Sequence, residues 1–410
     1  MMVISAIMLI SMIVLEFVFT SNVNYSIALN ERQRLQAYYL AESALSLMKV
    51  EIKMDKQVKS QLASLPIAAN LPIDLSQPMC QQFPFSTTLL RNFFVGGTLP
   101  LMAEGNETVA EGAEVAAEGE TGAEKGAGVT TFETESAQEF LSFDGDFDGI
   151  CVDEASKINL NYFWALDPAQ QTLAGVSQYD TYKTMIVNFL KQERFKKLFE
   201  GIAPEKIKEV VGNIADWADK NDLINELGYT TRGSEESLYK GDEMQKPKNA
   251  KFLSLDEVHL VEGVDDTWFM PLEDMFTVYG DSKINVCLAE DDVVWALILS
   301  YANQNQSITP IDPRNTEARK KLLDAVKLNC TSAQPQASKI AADLDAALGI
   351  TSGEQQQSSG GFANFITTEP RFYSLKLTGQ VGETVVNIKT VLDIKDSDPK
   401  KWKMLYYKVY

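Results

Sequence analysis

Asn30-Glu31-Arg32-Gln33-Arg34-Leu35-Gln36-Ala37-Tyr38-Tyr39-Leu40-Ala41-Glu42-Ser43-Ala44 sits inside an opening stretch that contains no Gly or Pro before Pro66. Nothing in that backbone chemistry interrupts a helix, so one very long helix is predicted from Met1 to about Lys53. Toward the N-terminus, every residue from Met1 to Leu15 is apolar or Ser, and the only charge before Glu31 is Glu16. At about 1.5 Å per residue, Met1 to Leu15 spans about 22 Å and Met1 to Val23 about 34 Å, enough to cross about 30 Å of hydrocarbon. Residues 1–23 therefore read as a membrane-spanning segment. Glu16 is a candidate functional acid inside it, unless it snorkels to the interface.

Beyond Val23 the pattern changes without a break. Ile27, Leu35, Tyr38, Leu45, Met48 and Ile52 recur at helical spacing, with Arg32, Arg34, Glu42, Lys49 and Glu51 as the polar surface. Residues 24–60 are predicted to continue the same helix as an amphipathic element, so one helix serves lipid first and a folded domain second. The competing reading is a secretory signal peptide cut near Ser26-Ile27-Ala28. Against it stand the missing basic n-region and a helical pattern that runs through the cut.

The chain has 410 residues, 45% of them hydrophobic, which allows two or three domains. A net charge of −20 argues against binding a phosphate backbone, so no nucleic-acid partner is expected. Cys80, Cys151, Cys287 and Cys330 are far apart and form no C-x-x-C pair, which excludes zinc and thioredoxin-type readings. In an oxidising compartment they would form two disulfides in one of three pairings. Cys80 with Cys151 and Cys287 with Cys330 is the pairing expected, with four buried free thiols as the alternative. Arg32, Arg34 and Lys49 follow the span and no basic residue precedes it, which taken alone places the folded part in the cytoplasm.

After the helix, Leu62 to Pro84 carries four prolines and reads as extended loop, and Phe85 to Pro100 as a strand and turn broken at Gly96-Gly97. Residues 103–128 are almost wholly Ala, Glu, Gly and Thr and are predicted to be a disordered acidic loop. Glu139 to Phe143 and Gly149 to Val152 read as two strands joined through Asp144-Gly145-Asp146-Phe147-Asp148-Gly149. That hexapeptide matches half an EF-hand loop, but Ala155 stands where a bidentate Glu is needed, so an Asp-Gly hairpin is the better reading. Ser156-Lys157-Ile158-Asn159 is echoed by Ser282-Lys283-Ile284-Asn285, which predicts two equivalent strand-like entries, each leading into a helical unit. Helical patterns follow at 179–199, 204–220, 254–262, 265–275, 291–303 and 316–328. Ser254 and Glu257 have capping-box spacing. Leu260-Val261-Glu262-Gly263-Val264 has a helix-hairpin-helix shape, but Glu262, Asp265 and Asp266 would repel phosphate, so it reads as packing. Residues 332–362 read as a low-complexity linker with at most one short helix, Ile340 to Leu348, and 371–377, 383–394 and 402–410 as a three-stranded antiparallel meander.

The opening helix resembles that of type IV pilin-like proteins. Taken with Ser156-Lys157-Ile158-Asn159-Leu160-Asn161, Asp216-Trp217-Ala218-Asp219, Gly233-Ser234-Glu235, Lys248-Asn249-Ala250-Lys251-Phe252, Leu260-Val261-Glu262-Gly263, Val278-Tyr279-Gly280 and Met404-Leu405-Tyr406-Tyr407 in that order, the chain is similar to the minor pseudopilin K subunit of type II secretion systems. The basic leader ending in Gly that precedes such helices is missing, so the numbering is expected to begin inside a precursor or at a late start codon. A Glu near the fifth mature position is also missing, as is usual in the K subunit. The resemblance implies an α+β fold in which a long N-terminal helix packs on an antiparallel sheet, with a large inserted helical domain, SAM-like or helix-hairpin-helix-like. In these terms, 61–161 is the first part of the pilin-like domain, 162–280 the insertion, 281–331 a second helical unit and 363–410 the closing strands. It implies an inner-membrane, single-pass protein with its soluble domain in the periplasm, at the tip of the pseudopilus beside minor pseudopilins of the I and J types, and no small-molecule substrate. The alternatives are a type IV pilus minor pilin and a secreted calcium-dependent adhesin or hydrolase.

No catalytic constellation emerges. His259, the lone histidine, stands between Val258 and Leu260 on a helical face and reads as a packed or half-exposed side chain rather than a catalyst, and no H-E-x-x-H, G-x-S-x-G or phosphate loop is present. The acids Asp216, Asp219 and Asp222, with Asn221, followed by Glu235 and Glu236, form the candidate site. Calcium takes six to eight oxygens, and closely spaced acids past a helix end, with Gly228 and Gly233 to turn the chain back, are able to converge on one ion. In K subunits the Asp-Trp-x-Asp and Gly-small-Glu pieces are the region associated with calcium, and Asp216, Asp219 and Glu235 keep that pattern. A solvated acidic loop is the competing reading.

Overall fold

The computed structural model describes residues 2–62, 77–96, 143–166, 177–226, 229–239, 246–304, 308, 310–332, 334–350 and 361–410. The predicted acidic loop 103–128 and strand 139–142 lie outside them.

Helix α1, Met2–Leu62, runs unbroken for 61 residues, about 92 Å at the helical rise. Its residues from Val3 to Leu29 are exposed, and among the described residues it is the one helix long and apolar enough to cross a membrane. Burial begins at Ala37 and recurs at Ala41, Ala44, Leu45, Met48, Ile52 and Asp55, one stripe at helical spacing. Ile27 and Leu35, read from the sequence as part of that stripe, are exposed instead.

The stripe lies on a five-stranded antiparallel sheet ordered β1 (Phe85–Ser86), β2 (Asp146–Asp153), β9 (Phe372–Val381), β10 (Thr384–Asp393) and β11 (Lys403–Val409). The predicted meander is thus present, within a larger sheet. The seam is built for close approach: a Cβ added at Gly379 would stand 2.0 Å from the Ala37 carbonyl oxygen and 2.8 Å from the Ala41 nitrogen. Small residues on both sides let the two backbones touch. Two expectations fail at the first strands. Thr87–Gly96 is a helix, α2, directly after β1. Asp146 to Gly149, read from the sequence as part of a turn, belong to one continuous strand, β2, paired with β1 and β9. A disulfide joins Cys80 to Cys151 in this body.

Between the adjacent strands β2 and β9 the chain leaves to build a helical body, residues 154–371. Gly145 at the start of β2 meets Leu40 of α1, Gly149 meets Met48, and Tyr373, opposite Asp153, lies near Asp55. The insertion therefore projects from the end of the sheet farthest from the apolar start of α1. Its elements are β3 (Ile158–Asn159), α3 (Gln178–Leu190), α4 (Pro204–Ala218), the hairpin β4 (Leu223–Glu226) and β5 (Tyr229–Ser234), β6 (Phe276–Thr277), β7 (Ile284–Asn285), α5 (Asp291–Gln304), α6 (Thr316–Lys327), α7 (Ala337–Leu348) and β8 (Ile366–Thr367). The echoed motifs form β3 and β7, each in a short parallel pair, with β6 and β8. Their asparagines, both buried, tie loops down: Asn159 donates to the Gly280 and Asp281 carbonyls, and Asn285 to Asp153.

One hydrophobic core, from Ile158 to Ile366, unites what the sequence divided into two helical units. Trp217, Trp295, Phe163 and Phe189 are fully buried in it. Helix α7 belongs to this core through Ile340 and Leu344, so residues 337–348 are domain rather than linker. Residues 193–199, 255–260 and 270–275 are 3-10 segments, where the sequence pattern reads as longer α-helices. Ser254 makes no side-chain cap; Glu257 instead accepts from the Leu253 amide at 3.0 Å. Glu262 of the hairpin-shaped turn gives its carbonyl to Asn213 of α4, which makes the turn a packing contact. A second disulfide, Cys287 to Cys330, closes this body.

Candidate metal centre

Helix α4 carries the first half of the site. Its apolar face, with Ile207, Val211, Ile214 and Trp217, faces the core. Asp216 in the last turn and Asp219 at the C-cap are nevertheless buried, 2% and 1% exposed. Carboxylates there face the negative end of the helix dipole. The β4–β5 hairpin then returns the chain: Ser234 pairs with Leu223, and Gly233 takes a left-handed φ of 97°, so that Glu235, entirely buried, enters beside the helix end. The carboxylates of Asp216, Asp219 and Glu235 offer oxygens all within 4.8 Å of one another.

Asp219 is held on several sides. Tyr179 of α3 donates its hydroxyl to Oδ2 at 2.8 Å, the Asn221 amide donates to Oδ1 at 3.1 Å, and the Asn221 side chain donates to Oδ2 at 3.0 Å. Burial drives its pKa up to about 6 against the pull of these donors. Both oxygens of Glu235 are buried and, among the described residues, have no hydrogen-bond partner. Burial first, then the charges of Asp216, Asp219 and Asp222, push this carboxyl up to about 9. At 4.8 Å and an effective dielectric near 20, each like-charged pair costs about 3 kcal/mol. Lys183, buried at 1% exposure, stands over the Tyr179 ring at 4.7 Å and pairs with Asp180 at 3.0 Å. Its charge favours ionised Asp219.

The six residues singled out from the sequence therefore separate. Asp216, Asp219 and Glu235 converge. Asn221 orients Asp219 and spends its own Oδ1 on the Leu223 amide, and Asp222 is exposed and bonded by Ser234. Glu236 turns outward to Lys246 at 2.9 Å. Tyr179 and Lys183 reach the site from α3, and no spacing in the sequence connects them to it. His259 lies elsewhere, bonded to Asp266 and edge-on to Phe269.

These features define an α+β protein in which a long N-terminal helix is clamped on an antiparallel sheet, carrying an inserted helical body with a buried triad of acids. Neither a protein-family model nor a curated protein matches the chain. Among solved structures the chain is similar to the GspK-GspI-GspJ complex of the enterotoxigenic Escherichia coli type 2 secretion system. The identity is 12% and the TM-score 0.42, over 65% of this chain and 80% of that one.

Proposed function

We propose that this chain is a K-type minor pseudopilin: a non-catalytic component anchored in the inner membrane by α1, with its sheet and helical bodies in the periplasm. It stands at the tip of a type II secretion pseudopilus beside minor pseudopilins of the I and J types. The observation that carries the reading is the placement of the helical body. A pilin-type helix and sheet assemble by stacking, and here residues 154–371 project from the end of the sheet remote from the membrane half of α1. Bulk at that end blocks a further subunit from stacking above, which suits a tip and not a shaft. The ordered motifs of the sequence support the same reading.

Asp216, Asp219 and Glu235 hold a calcium ion in this reading. The fit rests on Glu235, whose two orphaned oxygens are hard donors facing two more carboxylates, the donor type that calcium takes. A bound divalent cation would supply the positive charge that three buried acids at the negative end of α4 lack. The chain's own part is to fix the donors: Tyr179 and Asn221 orient Asp219, and the hairpin carries Glu235 back to the helix end.

Co-purification of the full chain with the I- and J-type minor pseudopilins of its own host, in calcium and in chelator, tests both parts. A stoichiometric complex that weakens in chelator, with label at one end of isolated pseudopili, is expected. Label spread evenly along the shafts, or no complex from a folded chain, would sink the tip assignment.

A further inference from the structure

The buried stripe of α1 ends on acids. Met48 and Ile52 are 0% and 2% exposed, and the next position of the stripe is Asp55, 4% exposed, with the half-buried Glu51 one turn before it. Residues four apart on a helix stand one above the other, with Cβ atoms about 5–6 Å apart. The two carboxyls therefore share one patch where α1 packs on the sheet and on the short helix Met79–Gln82. A buried carboxyl oxygen normally finds a donor. Asp55 Oδ2 has one, Lys59 Nζ at 3.1 Å, and that ammonium also donates to the Gln77 carbonyl at 2.8 Å. Asp55 Oδ1 and Glu51 Oε2 are buried and, among the described residues, have no hydrogen-bond partner. Two orphaned acceptors one turn apart lack only a hydrogen.

The charged and titratable groups around the pair do not supply it. Along α1, Lys59 is committed to Asp55 and Gln77, and Lys56 donates to the Ile394 carbonyl at 3.1 Å and feels Glu369 and Asp393 as well as Asp55. The short helix 79–82 brings the Met79 amide toward Asp55 and no ionisable side chain, since Cys80 is in its disulfide. From the sheet, β9 presents Tyr373, which lies near both Asp55 and Asp153 of β2 and which burial keeps neutral. Lys400 and Lys401, in the turn 399–401 packed on α1, are exposed. Burial first, and then the Asp55 charge, drive the Glu51 carboxyl up to about 7, and no cation offsets them among the described residues. Asp55 is raised by burial too, but Lys59 and the Met79 amide pull it back. The surroundings thus favour a proton on the first carboxyl and a charge on the second.

We propose that Glu51 and Asp55 hold one proton between them, Glu51 donating from Oε2 to Oδ1 of an ionised Asp55 that keeps its pair with Lys59, and that this proton locks the membrane-remote end of α1 onto the sheet. The proton comes from solvent, which the half-buried Glu51 reaches, and takes the pair from two negative charges to one. Its loss leaves two carboxylates repelling one turn apart with a single lysine to answer them, and the last turns of α1 loosen. A carboxyl that gains a proton on seating contributes fully below its ordinary 4.5, and that contribution is lost as pH rises through about 7. Acid therefore tightens the seat and neutral pH begins to release it. The lock uses no group of the candidate metal centre.

Hydrogen exchange on the detergent-solubilised full chain, corrected for the intrinsic pH dependence of the rates, tests it. Protection of the α1 amides from Ile52 to Lys59 is expected to fall about thirtyfold between pH 5 and 7. Glu51→Gln supplies the hydrogen permanently through its amide and should keep that protection level across the range. Asp55→Asn removes the charge that helps to raise Glu51, so the fall should move to lower pH. Level protection in the wild-type chain overturns the lock and leaves the two oxygens to buried water. A fall of the same size and midpoint in Glu51→Gln assigns the proton to another acid, Asp153 first, and overturns it equally. An unmoved midpoint in Asp55→Asn overturns the sharing.

Discussion

Both bodies of this molecule bury acids, and they solve the problem differently. In the α1–sheet body, Asp55 is 4% exposed, and Lys59 one turn later pairs with it at 3.1 Å. Glu51, one turn earlier, is raised by burial and by the Asp55 charge to about 7, so on this helix one lysine stands beside two carboxyls. In the helical body three acids converge, and Lys183 lends its charge to Asp219. A local i,i+4 pair answers the first arrangement in part; the second gathers the donor type that the proposed calcium ion takes.

Each body carries one disulfide, and breaking them gives the largest effects. The Cys80–Cys151 bridge spans 71 residues and the Cys287–Cys330 bridge 43. By loop-closure entropy each is worth about 4 kcal/mol, nearly the same for the two. Replacing either pair with serines should lower the denaturation midpoint by similar amounts, with the loss of proteolytic protection local to one body. Loss of both bodies on cutting one bridge would show that they fold as a single unit.

Gly379→Ala attacks the seam of the sheet body alone. The new Cβ meets backbone atoms of Ala37 and Ala41, and backbone cannot rotate aside. A loss of about 3 kcal/mol is expected in chemical denaturation of the detergent-solubilised protein, with calcium response unchanged. A wild-type midpoint would mean that α1 shifts freely along the sheet.

The junction between the bodies sets a pH dependence. Asp153, 1% exposed and bonded by Asn285 at 2.8 Å, is raised by burial to about 7. A raised carboxyl takes up a proton on folding, so its contribution is fully present below about pH 3.8 and is lost as pH rises through about 7. Between pH 5 and 7 this one group should remove about 2 kcal/mol of stability. Asp153→Asn should flatten that slope, and an unchanged slope would assign it to other acids.

The helix, the strands β9 to β11 and the paired Ser-Lys-Ile-Asn entries were legible in the sequence because each rests on a local period. The seam was less so. Ala37, Ala41 and Ala44 do not register as a hydrophobic stripe, and their burial depends on Gly379, far along the chain. Residues 337–348 looked like linker because Ala, Ser and Gln surround Ile340 and Leu344, the two side chains that bury. At the candidate site the acids on α4 and after β5 were visible as motifs. That Asn221 serves Asp219, that Glu236 turns outward and that Tyr179 and Lys183 arrive from α3 are consequences of tertiary packing, which no spacing encodes.

Glu235→Gln sharpens the contrast between the bodies most directly, because its effect should change sign with the ion. In chelator the substitution replaces a carboxyl that burial and its acidic neighbours hold protonated near neutral pH with a neutral side chain of the same shape, so the proton uptake on folding is no longer needed and stability near pH 7 should rise by about 2 kcal/mol. In calcium the wild-type chain should gain stability and the variant should gain little, because the orphaned oxygens are the ones it lacks as a carboxylate. Asp55→Asn in the sheet body provides the control: Asp55 pairs with Lys59 away from the triad, so whatever the substitution does to stability should be the same in calcium and in chelator. Thermal melts of the three proteins in both buffers decide it. A Glu235→Gln chain that loses stability in chelator would mean that the triad is held by the protein itself, with Lys183 and Tyr179 sufficient to balance it and no divalent ion needed to complete it.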